Sequence, residues 1–175
     1  MKRAPLLSVS LRYGAVCGIL SFLLMMTTYY IGRHPLMISP FLDFRILLFG
    51  VFIFFTLKEF RDYYQEGVLY FWQGIIGSFL MVVTSTIIAA IGLQIFGSMV
   101  KKFVPSYVEQ MTVYLKTFPK EDIERIGKDV YERNLELLPA TNISVLAFTY
   151  FIQGLVIGLF VSIILSVILR KQPKL

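Results

Sequence analysis

The sequence predicts an all-α membrane protein: four transmembrane helices in an antiparallel bundle, with an amphipathic helical hairpin between the third and fourth spans. Three observations carry that expectation. Of 175 residues, 57% are hydrophobic and 16% charged, against roughly 25% charged in an average soluble domain. Residues 67–100 and 137–169 are uncharged runs of 34 and 33 residues, more apolar chain than one small core conceals. The mean hydropathy is +0.72. A single cysteine and the lack of a Gly or Pro repeat exclude a disulfide-stapled miniprotein and a collagen-like fibre.

One domain is expected over residues 1–175, with spans at 11–32, 40–64, 67–99 and 142–170. The first contains an uncharged run over 13–32, about 30 Å of helix and enough for one crossing. That run exceeds the core of a secretory signal and no small-residue cleavage pattern follows, so it is expected to remain in the chain. Cys17 reads as a small packing residue without a redox role. The second span has an uncharged core of only 12 residues, 46–57, too short by itself. Its flanks extend it. Ser39 followed by Pro40 reads as N-cap and first helical residue, and Asp43 falls in the first turn, where the helix dipole favours an acid. A helix over 40–64 then crosses, with Arg45 and Lys58 snorkelling to opposite interfaces.

The third span is longer than a crossing requires, and Pro139 confines the fourth helix to the stretch beyond Thr141. Tyr63, Tyr64, Tyr70 and Trp72 bracket the turn between the second and third spans, and Tyr29 and Tyr30 close the first. Such rings favour the headgroup level. Phe49, Phe52, Phe54 and Phe55 are expected to face lipid or to pack in the bundle.

Four spans put both termini on one side, with eight basic residues there and nine on the other, so the raw count does not orient the chain. Both termini are assigned to the cytoplasm because the first helix usually sets orientation and its tail is basic. The 101–136 loop holds seven basic and seven acidic residues, whereas the tails (Lys2, Arg3, Arg12, Arg170, Lys171, Lys174) carry the net +6. Anionic lipid attracts such tails by roughly 1 kcal/mol per basic residue. No basic stripe lies on a soluble domain, so nucleic acid is excluded as a partner.

Residues 100–141 form the extramembrane segment, divided by Pro105, Pro119 and Pro139. Tyr107, Val108, Met111, Leu115 and Phe118 recur at helical spacing. Pro119 opens a second helix with Glu121, Asp122 and Glu124 near its positive end and Ile123, Ile126, Val130 and Leu137 or Leu138 on one face. Gly127 weakens it by about 1 kcal/mol relative to alanine. Such a hairpin either lies on the bundle or the outer leaflet, or docks a protein partner. Asn142-Ile143-Ser144 fits the glycosylation pattern at the membrane boundary.

The expected membrane-embedded cores hold no Asp, Glu, Lys, Arg or His, the groups that relay protons or bind ions in hydrocarbon. Gln73, Gln94 and Gln153 are expected to bond across helices. Small-residue seams predict close helix packing: Gly14 and Gly18; Gly74, Ser78, Ser85, Ala89 and Gly92; and Gly154, Gly158, Ser162 and Ser166 at four-residue steps. These seams join spans of one chain or a second copy. One polar cluster, Lys58, Glu59, Arg61, Asp62 and Glu66, ends the second span. Glu59, Asp62 and Glu66 share one side of a continuing helix, a face for a divalent metal against lipid phosphate. The plainer reading is a solvated turn with Lys58 paired to Asp62. His34 beside Arg33 reads as a lone exposed imidazole. No HExxH, paired CxxC, P-loop or GxSxG is present, so no catalytic residue, cofactor or metal is expected.

Arg12-Tyr13-Gly14 enters the first span, Lys58-Glu59-Phe60-Arg61-Asp62 leaves the second, and Phe71-Trp72-Gln73-Gly74 opens the third. A proline-punctuated loop follows, then a last span paced by Gln153-Gly154, Gly158 and Ser162 that ends in Arg170-Lys171. In that order the chain resembles a bacterial domain-of-unknown-function family, number four-one-nine-nine, of small inner-membrane proteins from the Bacteroidetes. The resemblance covers about residues 11–171. It implies a four-span inner-membrane protein with an extramembrane loop and assigns no catalytic residue. The residues themselves favour a non-enzymatic accessory or assembly subunit. The alternatives are an envelope lipid or polyprenyl-phosphate handling protein, which the resemblance associates with a glycosyltransferase, and a small transporter or channel.

Overall fold

Long runs of Leu, Ile, Val, Phe and Met without interior proline satisfy every backbone group internally, which a lipid environment demands. The computed structural model describes residues 5–39 and 42–172. Among these the chain forms seven α-helices and no strand: α1 Pro5–Tyr30, α2 Phe44–Tyr64, α3 Phe71–Met99, α4 Phe103–Lys116, α5 Lys120–Ile126, α6 Lys128–Leu137 and α7 Ile143–Leu169. Short 3-10 turns occupy Pro35–Met37 and Leu138–Ala140. Three helices, α1, α3 and α7, are long and apolar enough to cross a membrane, which marks the chain as a membrane protein. α2 has 21 residues but carries Arg45, Lys58, Glu59, Arg61 and Asp62, and it falls short of that apolarity.

Several boundaries differ from expectation for local reasons. α1 is helical from Pro5, the first described residue, so it extends at least six residues before the expected start. α2 begins at Phe44: Asp43 is itself the N-cap, its carboxylate accepting from Arg45 N at 2.9 Å, so Ser39 does not cap this helix. Pro40 lies outside the described residues. The expected second extramembrane helix is two, α5 and α6, because Gly127 adopts φ 95° between them. α7 starts where Asn142 accepts from Val145 N at 3.0 Å, which commits that side chain to capping.

The central helix is α3. Ser10 Oγ donates to Gly77 O at 2.8 Å, and a Cβ on Gly14 or Gly18 would stand 2.7 Å from Met81 O or Ser85 O. Each pairing spans 67 positions, so α1 runs parallel to α3. On the neighbouring face Gly74 meets Ser166, Val82 meets Gly158 and Thr86 meets Gly154. Those numbers always sum to 240, so α7 runs antiparallel and Ser78 falls opposite Ser162. α2 lies against α1 and α7.

Two apolar clusters fill the interior. One joins Cys17, Phe49, Ile53, Leu57, Met81 and Val82; the other joins Met25, Leu93, Phe96, Phe103, Leu146 and Tyr150. α2 contributes buried residues only to the first, while Leu36 and Phe44 pack against the second. α2 thus lines one cluster with buried side chains, while the 3-10 turn at Pro35–Met37 and the first residue of α2 lie beside the other. Leu69 and Lys171 exchange backbone hydrogen bonds at 2.9 Å, so the α7 end lies beside the α2–α3 turn, where α1 also starts.

Candidate functional site

The feature furthest from expectation is Arg45. It does not snorkel to an interface: it is 3% exposed and turned into the bundle. Asp43 explains the turn. Its carboxylate caps α2 and also accepts from Arg45 Nε at 2.9 and 2.8 Å and from Nη2 at 2.5 Å. Nη1 donates to Tyr150 O at 2.8 Å, Nη2 reaches Gln153 Oε1 at 3.4 Å, and the guanidinium carbon lies 4.0 Å above the Tyr150 ring. A Cβ on Gly154 would approach Nη1 at 3.3 Å, so glycine makes the room. The same glycine meets Thr86, about halfway along α3. A charged pair thus sits well inside the helix bundle, neutralised by its own cap residue and fixed to α7 by a planar fork of donors.

Other polar groups gather around this level. Cys17 is buried near Ser21 and Ser85, and among the described residues the Ser21, Ser85 and Tyr150 hydroxyls have no hydrogen-bond partner. The small-residue positions sit where backbones approach. Gly14 and Gly18 face α3, Gly74 faces Ser166 and Gly158 faces Val82, while Ser78 donates to Gly74 O at 2.7 Å. The Ser162 and Ser166 hydroxyls are buried without partners among the described residues. Of the glutamines, Gln94 bonds across helices to Ser144 at 3.3 Å and Gln153 to Arg45. Gln73 accepts from Tyr70 N at 3.1 Å, capping its own helix, and its amide also donates to Gln65 Oε1 at the end of α2 at 3.4 Å.

The cluster at the end of α2 is divided. Glu59 takes Arg12 at 2.5 Å and the Tyr13 hydroxyl at 2.8 Å. Asp62 pairs with Arg61 at 2.7 Å rather than with Lys58, whose ammonium lies 5.9 Å over the Phe54 ring. Glu66 does not continue the helical face. α2 stops at Tyr64, and Glu66 and Gly67 turn through φ 49° and 81°. The three carboxylates therefore form no shared face, and among the described residues no group of three His, Cys, Asp or Glu is placed to hold a metal.

His34 is buried, not exposed, at 1%. Its backbone N donates to Gln110 Oε1 at 3.3 Å, and its Nδ1 accepts from Leu36 N at 3.4 Å. Phe103 and Tyr107 from α4 lie 4.6 and 5.1 Å from the ring, centroid to centroid, with Tyr29 at 6.2 Å. Burial pushes the imidazole down to about 4 from its ordinary 6.5 and raises the Tyr107 phenol. An open cavity of about 480 Å³ lies between α4, α6 and the start of α7, bordered by Tyr107, Met111, Asn134 and Val145.

Sequence reasoning missed both buried groups. Arg45 finds Tyr150 at a separation of 105 residues, and the cover on His34 comes from α4. One local signal did exist for the first: an acid two residues before an arginine can cap the helix and neutralise it at once.

Apolar spans around an internally neutralised core define a helical membrane protein. Residues 12–171 match the family described as protein of unknown function (DUF4199), and the chain belongs to that family. No curated protein and no solved structure matches it.

Proposed function

We propose that this is a four-span protein of the bacterial inner membrane, with both termini in the cytoplasm, serving as a non-enzymatic accessory or assembly subunit. The observation that carries this reading is the extramembrane segment. α5 and α6 bury no residue, and Val113, Tyr114, Ile126, Val130 and Leu137 stand exposed on α4–α6. Exposed apolar side chains gathered on one soluble segment suit a protein partner. α2 counts as the fourth crossing because Leu47, Val51, Phe54 and Phe55 give it an apolar outer face while its inner arginine is neutralised. Ser10 near the start of α1 and Lys171 beyond α7 both lie toward the α2–α3 turn, which is why both termini are assigned to one side.

Purification in mild detergent followed by mass spectrometry tests the function. A stoichiometric partner is expected, and it should be lost in a Val113→Lys, Val130→Lys variant; recovery of the protein alone overturns the reading. Topology is tested by maleimide labelling of intact cells. Cys17 is buried, so a cysteine introduced at Lys116 is read without interference. Labelling from outside is expected, and protection until lysis reverses the assigned orientation.

A further inference from the structure

The outer face of α2 carries two open cavities that share Phe55. One, about 300 Å³, is bordered by Tyr13, Lys58, Glu59, Asp62 and Tyr63. The other, about 470 Å³ and almost wholly apolar, runs along Leu47, Gly50, Val51, Phe54 and Leu165. Gly50 opens this groove, because a Cβ built there meets no atom within 4 Å. Leu47, Val51, Phe54 and Lys58 follow one stripe of α2 at three- and four-residue steps. The stripe is apolar for about three turns and then ends in a cation. Among the described residues Lys58 makes no ion pair, while both neighbouring carboxylates are occupied, Glu59 by Arg12 and Asp62 by Arg61. The mouth is therefore net positive: Arg12, Lys58 and Arg61 against Glu59 and Asp62. Tyr13 and Tyr63 supply the amphipathic rings of a headgroup boundary.

We propose that this face binds one anionic phospholipid, its phosphate on the Lys58 ammonium and one acyl chain laid along the Gly50 groove. Charge complementarity at the mouth and the unbroken apolar floor select an amphiphile of that shape. A free phosphate uses the lysine alone and leaves the groove empty. In lipid the groove gains no hydrophobic advantage over bulk acyl chains, so shape and headgroup charge carry the preference. The proposal stands apart from the accessory-subunit reading, which rests on α4–α6.

The full-length protein in detergent is mixed with phosphatidylglycerol or phosphatidylcholine, and bound lipid is counted by native mass spectrometry. Wild type is expected to retain one phosphatidylglycerol about fivefold more tightly than phosphatidylcholine. Lys58→Gln, a change at an exposed position, should erase that preference. Gly50→Leu, which enters open space, should lose the retained lipid of either headgroup with its thermal unfolding not lowered. An undiminished preference in Lys58→Gln, full retention in Gly50→Leu, or release of the lipid by inorganic phosphate overturns the proposal. So does a protein, or a second copy of the chain, found on this face in place of lipid.

Discussion

α1 and α7 are held to α3 in one way and α2 is held to its neighbours in another. The first three helices meet through glycines and serines, with a would-be Cβ of Gly14 or Gly18 only 2.7 Å from a carbonyl oxygen of α3. At Gly14 and Gly18 the gap is closed by α3 backbone oxygens together with Thr84 and Ile88, whereas the α7 glycines receive the short side chains Thr86 and Val82. α2 is instead held through side chains: Arg45 with Asp43 and the α7 backbone near one end, Glu59 with Arg12 and Tyr13 near the other, Leu57 and Ile53 between. Its own glycine, Gly50, faces open space. The difference teaches that a small residue in a membrane helix marks a close approach only when a second helix supplies its complement. In the absence of a hydrophobic drive between spans, either packing or polar pairing must do the holding.

The sharpest way to break that comparison is to give each kind of glycine a side chain. Gly18→Leu drives a side chain into Ser85 O and Ile88, where backbone cannot yield. A loss of more than about 5 kcal/mol, read as absence of a folded species in detergent, is expected. Gly50→Ala meets nothing and removes a helix-interior glycine, so it should be neutral or stabilise by up to about 1 kcal/mol. Equal thermal unfolding of Gly18→Leu and Gly50→Ala would show that the seam tolerates separation.

Next in size comes the polar lock. Arg45→Met leaves the Asp43 carboxylate buried without a counter-charge, which costs about 3–5 kcal/mol. Adding Asp43→Asn removes the orphan charge and keeps a capping oxygen, so the double variant should recover most of the loss. Denaturant titration of both proteins reads the coupling. Additive losses in the double variant would mean that the two side chains act separately.

How much of this was open to sequence follows the range of each interaction. Four-residue spacing is local, so Gly154, Gly158, Ser162 and Ser166 announce a seam, although not that Gly74 and Val82 complete it. Ser39 was expected to cap α2 with Asp43 in its first turn, but the Asp43 carboxylate bonds Arg45 N and is itself the cap. Gly127 carried a visible cost but no sign of whether the helix would absorb it or break at φ 95°. Glu66 was placed on a helical face on the assumption that the helix continued past Tyr64. Arg45 and His34 lay beyond local reading altogether, since burial is conferred by residues distant in the chain.

His34 sharpens the comparison outside the bundle, where α4 docks by aromatic stacking. Its folded pKa, about 4, lies below the ordinary 6.5, so folding favours the neutral ring. The contribution is complete above pH 6.5 and declines as acid protonates the ring, down to about pH 4. A shift of that size corresponds to roughly 3 kcal/mol. Protection of α4 amides from hydrogen exchange should fall across this window in wild type and stay level in His34→Phe. A level wild-type profile would mean that the imidazole is already hydrated.

The smallest effect is expected at the other attachment of α2. Arg12 is 62% exposed at its side chain and Glu59 20%, so their bond is largely shared with water. Exposed pairs of this kind contribute at most about 1 kcal/mol. Glu59→Gln keeps an oxygen for the Tyr13 hydroxyl and loses only the charge, so thermal unfolding should drop slightly and the drop should vanish at high salt. Arg45→Met should keep its larger loss at the same salt, because a pair shielded from water is not screened by it. If Glu59→Gln proved as costly as Arg45→Met, both ends of α2 would be polar locks, and the contrast between a shielded and a solvated attachment would fall.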